Sequence, residues 1–215
     1  MTATLLAIAG SSFLLGLSGA CMPGPLLTVT VAETTRRGPW AGPLLVAGHA
    51  LLEVLVVLLV VLGFGSLLSN RYVFVTIAFI GAALLVGMSY GMLRSLPQLS
   101  LKVDESDRQR SMHPLLSGAL VSVANPYFTL WWATIGLTYL LIAGKVGMAG
   151  VIVFYVFHIL ADLAWYAFIS ISVHFGRSLF SDRSYRVLVA GCAVFLAGFA
   201  CYFVYAGLNR VIGIT

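Results

Sequence analysis

Long apolar runs leave this chain few ways to fold. Residues 5–31, 40–68, 72–93, 113–142, 146–175 and 187–208 form six stretches interrupted by little charge, and roughly 18 apolar residues already suggest a membrane span. Sixty per cent of the 215 residues are hydrophobic and 9% are charged, with a mean hydropathy of +1.03; soluble domains carry about 25% charge. Six spans and short connections consume nearly the whole length. The expected fold is therefore all-α and integral to a membrane, with no soluble catalytic domain, no catalytic residues and no cofactor. The net charge of +5 is not gathered into a stripe that would hold nucleic acid.

Two of the spans carry helix breakers. The first contains Cys21-Met22-Pro23-Gly24-Pro25 and the fourth Ala124-Asn125-Pro126-Tyr127. Proline lacks a backbone donor and clashes with the preceding turn, so no regular helix runs through either motif. A break facing lipid would strand polar backbone groups; these breaks are expected to face protein or a watery cavity. Their half-helix N-termini can receive an anionic group such as a carboxylate, and Asn125 can cap its half-helix or touch a ligand. Simple kinks absorbed by neighbouring spans would also satisfy the sequence.

Spans two and five each hold a histidine four residues before a carboxylate, His49 with Glu53 and His158 with Asp162. On a helix this spacing stacks both side chains on one face, a turn apart. Of the seven acidic residues, Glu53 and Asp162 are the two deep inside apolar segments, where an unpaired charge costs about 2.5–3.5 kcal/mol on insertion. They must be protonated, paired or facing water. An adjacent imidazole can share a proton with each, which suits a proton relay or the exchange of a proton for a cationic or zwitterionic substrate. A purely structural role, tying helices together, stays open. Tyr127, Trp131, Trp132, Tyr155, Trp165 and Tyr166 lie near these motifs and can wall a pocket or face lipid; His113 and His174 read as interfacial.

The halves match in order: a broken span, a His-x-x-x-acid span, then a span rich in small residues. Gly81, Gly87 and Gly91 in the third span, and Gly191, Ala197 and Gly198 in the sixth, read as close helix packing. Pro25 and Pro126 are 101 residues apart and His49 and His158 are 109 apart, so the second half carries extra length near the end of span four. Residues 1–95 and 113–215 thus read as two three-span repeats divided by a polar linker, 96–112. The connections after spans one, three and five hold Arg36, Arg37, Arg94, Lys102, Arg108, Arg110, Arg177, Arg183 and Arg186, against Arg71, Lys145 and Arg210 on the other side. This bias places the first set in the cytoplasm and both termini outside. Three spans per repeat is odd, so the second repeat enters from the other face, the inverted construction recurrent in secondary transporters.

The Pro23-Gly24-Pro25 break, the second span punctuated by Gly38, Gly42 and Gly48, and the Asn125-Pro126 echo resemble the LysE-type amino-acid exporters over nearly the whole chain. Many members have lysine after Asn-Pro where this chain has Tyr127, so it looks like a divergent prokaryotic branch, an archaeal one included. The resemblance implies export of amino acids or related small metabolites across a prokaryotic cytoplasmic membrane, driven by protons. Substrate or proton binding is expected at His49, Glu53, His158, Asp162, Asn125 and Tyr127, with the breaks at Pro23, Gly24, Pro25 and Pro126 lining the site. The partners implied are a small-molecule substrate, protons and lipid, with homo-oligomerisation left open.

The main alternative is a divalent-metal exporter. His49, Glu53, His158 and Asp162 offer a mixed N/O ligand set for a metal such as zinc or nickel, although no histidine-rich loop is present to gather it. A thiol–disulfide carrier would need a partner for Cys21, and Ala124 stands at the matching place. The three cysteines read as small apolar residues in helices, without a Cys-x-x-Cys pair. An intramembrane metalloprotease lacks its His-Glu-x-x-His, and a non-transporting scaffold also stays open. The first segment has no basic n-region and reads as a retained span.

Overall fold

Backbone in hydrocarbon must bond to itself, and in the computed structural model every described residue outside short turns is helical. The structure describes residues 2–22, 24–64, 70–98, 112–123, 125–176 and 181–212; residues 99–111, most of the expected linker, fall outside them. The first span comprises α1 (Thr2–Ala20) and α2 (Pro25–Arg37). The second is α3 (Ala41–Leu59), ending in a π-type turn at Val60–Phe64, and the third is α4 (Arg71–Ser95). The fourth is divided into α5 (Pro114–Val123), α6 (Pro126–Trp131), a π-type turn at Trp132–Gly136 and α7 (Leu137–Gly144). The fifth and sixth are α8 (Met148–Gly176) and α9 (Asp182–Ile212). Six helices among the described residues are long and apolar enough to cross a membrane.

The outward faces are apolar and the inward ones are not. On α3, Leu51, Leu55 and Leu58 are exposed while His49 and Glu53 are buried; on α8, Ile152, Val156 and Leu160 are exposed while His158 and Asp162 are buried. A helix in water shows the reverse.

Helix directions follow from paired contacts. α1 and α2 run parallel to α8, with Gly16 against His158 and Thr34 bonded to Ser170 at 3.0 Å. The fourth span runs parallel to α3, from Gly118 against Leu45 to Trp132 on Glu53. α3 and α8 are antiparallel, with Gly42 against Tyr166 and Glu53 against His158. α4 and α9 are antiparallel too: Arg71 donates to the Val211 carbonyl at one end, and Ser89 to the Ala193 carbonyl at 2.8 Å near the other. α4 and α9 pack mainly on each other and touch the remaining four-span core thinly, through α6 and α2.

Two expectations need correction. The first span, expected to end near residue 31, runs on through Glu33 to Arg37 as the last turns of α2. Glu33 pairs with Arg36 at 3.4 Å and Arg37 at 2.9 Å, spacings that brace a helix, and the two cations complement its C-terminal dipole. The helix stops at Gly38, whose φ of 88° suits glycine and whose N–H bonds the Thr34 carbonyl at 2.9 Å. The second correction concerns packing. Gly87, Gly91, Gly191 and Gly198 have open space where a Cβ would point; the α4–α9 seam is instead built from Ala78, Ala82, Leu85, Leu196, Ala200 and Phe203. Within that seam Gly207 meets Ala78 and Phe79 of α4, and tighter backbone approaches lie at Gly42, Gly48 and Gly118.

Lys145 sits in the turn between α7 and α8 and is exposed. Lys145→Ala is expected to leave transport unchanged and stability within about 0.5 kcal/mol, checked by proteoliposome flux and thermal unfolding.

Candidate functional site

Apolar clusters fill the bundle towards both ends. One gathers Ile8, Val57, Trp132, Leu140, Val151 and Phe154; the other gathers Leu27, Val31, Leu45, Val46, Tyr166 and Val189. Between them the core turns polar. His49, Glu53, His158 and Asp162 meet there, with Glu53 1% and Asp162 4% exposed. The i,i+4 spacing set each pair on an inward face, and the antiparallel α3–α8 crossing brings the faces together.

Glu53 is the hub. Its Oε1 accepts from Trp132 Nε1 at 3.0 Å and His158 Nε2 at 3.1 Å, and lies 3.3 Å from His49 Nε2. Asp162 Oδ2 stands 3.7 Å from Nε2 of both histidines. Each imidazole therefore faces the carboxylate of its own helix and that of the other half. His158 is stacked between Trp131, with ring centroids 4.6 Å apart, and Phe154 at 5.9 Å. Gly16 leaves the room for this ring: a Cβ there would lie 2.8 Å from His158 Nδ1.

Proton counting constrains the centre further. Ser122 has one hydroxyl proton, and Oγ lies 2.7 Å from the Gly118 carbonyl, which can only accept. With that proton so used, His49 Nδ1–H donates to Ser122 Oγ, also at 2.7 Å. His49 Nε2 then faces Glu53 Oε1 and Asp162 Oδ2. A lone pair aimed at two carboxylates is repelled, so a proton sits there, either on the imidazole or on one of the acids. That nitrogen and the two carboxylates facing it therefore share at least one proton.

Polar atoms are also left over. Glu53 Oε2, His158 Nδ1, Asp162 Oδ2 and Trp131 Nε1 are buried with no hydrogen-bond partner in the protein. Buried polar groups are normally satisfied, and these four belong to residues that line one pocket of about 70 Å³. The helix breaks reach the same pocket through Gly24, Pro25, Asn125 and Tyr127. Pro23 lies outside the described residues, and Pro126 opens α6. Asn125 caps α6, its Oδ1 accepting from Tyr127 N–H at 3.1 Å. Asn125→Ala is expected to cost about 1 kcal/mol, measured as a lowered unfolding temperature in detergent, with Asn125→Asp retaining most of it.

Sequence reasoning missed the wall opposite the acids. Leu85 of α4 and Phe195, Leu196 and Phe199 of α9 line the pocket, although those spans read only as packing elements. Ser122 was also missed; a serine three residues before Asn125 is too common in helices to stand out. Of the aromatics near the motifs, Tyr127, Trp131 and Tyr166 line the pocket, Trp132 holds Glu53 and Tyr155 donates to the Ala50 carbonyl at 3.0 Å.

No curated protein and no solved structure matches this chain. The family model of the LysE type translocators matches residues 17–207, a stretch that includes both helix breaks, both histidine–acid pairs and the whole of the pocket wall on α4 and α9. An apolar bundle folded around that polar centre, matched from the first break almost to the end, belongs to the LysE type translocators, a family of membrane transporters.

Proposed function

We propose that this translocator exports amino acids or related small metabolites across a prokaryotic cytoplasmic membrane, and that proton movement through His49, Glu53, His158 and Asp162 drives it. The observation that carries the reading is the buried centre itself: four titratable side chains in mutual reach, with a carboxylate oxygen on each of Glu53 and Asp162 left without a hydrogen-bond partner, beside a pocket that both helix breaks also line. A stable structural knot would leave no lone pairs over, whereas a site that trades a proton for an ammonium group needs them. Export follows the family. Nine basic residues against three set the first set of connections in the cytoplasm and the termini outside.

The pairing of spans supports two inverted repeats, 1–95 and 113–215. The first span lies along α8 as the fourth lies along α3, with the α3–α8 and α4–α9 pairs self-related. The thin contact between the α4–α9 pair and the core runs past the pocket, so rocking of that pair opens the site alternately past the two apolar clusters. Efflux from loaded proteoliposomes, with and without an imposed pH gradient, tests the proposal. Amino-acid efflux accelerated by inward proton flow is expected; efflux indifferent to the gradient would remove the proton from the mechanism.

One observation favours a second reading. Ligand atoms of His49, Glu53 and Asp162 lie within 4.8 Å of one another, close enough to converge on a divalent cation as cargo. Zinc or nickel titrated into purified protein by calorimetry separates the two. Tight binding lost in His49→Ala would favour metal, and its absence leaves the amino-acid reading.

A further inference from the structure

We infer that the pocket selects a neutral amino acid with an aliphatic side chain over basic and hydroxylated ones. The inference rests on the export reading and adds the side chain that the site accepts.

The pocket has three chemically distinct borders. At the acid border, Glu53 Oε2 and Asp162 Oδ2 are buried without partners, which suits an ammonium group that would otherwise lose its water unrewarded. At the second border lies the N-terminus of α2, thirteen residues long, whose Gly24 N-cap makes no side-chain hydrogen bond. Gly24, Pro25 and Leu26 line the pocket there. Uncapped N–H groups and the helix dipole favour a carboxylate. Among the described lining residues there is no lysine or arginine, so the helix end is the electropositive feature left to take it.

The third border is the wall of Leu85, Phe195, Leu196 and Phe199. None of these side chains can bond a hydroxyl or an ammonium. A polar substrate side chain pressed against it would be desolvated without compensation, whereas an aliphatic one gains from burial. Tyr127 borders the wall with its ring edge-on to Phe199, centroids 5.4 Å apart.

Exchange in proteoliposomes tests this without any gradient: vesicles preloaded with unlabelled amino acid are offered labelled leucine, valine, serine or lysine. Leucine and valine are expected to exchange with about tenfold or greater preference over serine and lysine. Leu196→Asn should collapse the leucine-over-serine ratio towards one; Leu85→Asn, on the other helix of the pair, gives the same reading where Leu196→Asn fails to reconstitute. Serine or lysine exchanging as well as leucine overturns the aliphatic selectivity while leaving amino-acid export intact. No exchange of any of the four overturns both.

Discussion

Glu53→Gln is expected to abolish proton-driven efflux while leaving the protein folded. Glutamine keeps the shape and its amide oxygen can still accept from Trp132 Nε1 and His158 Nε2, the two donors now on Oε1. The negative charge and the capacity to take up and release a proton are lost. Removing one member of a buried charge set also leaves the facing imidazoles without their counter-charge, so some loss of stability accompanies the change. A loss of more than about tenfold in gradient-driven flux, from protein that still folds and reconstitutes, is the expected pattern. Asp162→Asn should behave alike, because Asp162 faces the same two histidines. If either variant transports normally, the centre is not the coupling site. If Glu53→Gln instead no longer folds, the carboxylate serves to hold helices together.

The second large effect lies in the close contact of α3 and α5. A Cβ built on Gly48 would stand 1.8 Å from the Leu115 carbonyl oxygen, and one on Gly118 would stand 2.0 Å from that of Leu45. Both obstacles are backbone, so no flexible side chain can move aside. Gly48→Val or Gly118→Val must part the helices by an ångström or more, forfeiting the close van der Waals contact that lets helices associate in lipid. Overpacking usually costs about 1–3 kcal/mol, and backbone meeting backbone on both sides places these variants at or beyond the upper end. The His49–Ser122 hydrogen bond spans the same contact, so transport should fall with stability. Gly87→Ala and Gly91→Ala, with open space at the Cβ, serve as controls and should be neutral or stabilising by up to about 1 kcal/mol. Size-exclusion profiles and unfolding temperatures in detergent read both sets. A Gly48→Val protein as stable as the natural chain would show that these helices do not pack as described.

The contrast between those glycines shows where sequence reading reaches its limit. Gly48 and Gly87 look alike in a sequence, each a glycine in a long apolar helix. Only the neighbour distinguishes them, a carbonyl in one case and open space in the other. The same holds for Phe199 and Leu85, whose chemistry is that of any apolar helix until the α4–α9 pair is set beside the pocket.

Local rules account for what could be read in advance. The length of the apolar runs required membrane-crossing helices, prolines at 25 and 126 forbade two of those helices from being continuous, and the four-residue spacing of His49–Glu53 and His158–Asp162 aligned each pair on one face. None of these depends on what lies across the bundle. Packing alone decided that the two pairs interlock through Glu53, that Ser122 orients His49, that Trp131 stacks on His158, and that apolar residues of α4 and α9 line the same pocket as the acids. Those relations join residues from 27 to nearly 150 positions apart in the chain. Helical periodicity acts over a few turns, whereas the approach of two helices is set by the shapes of both surfaces at once.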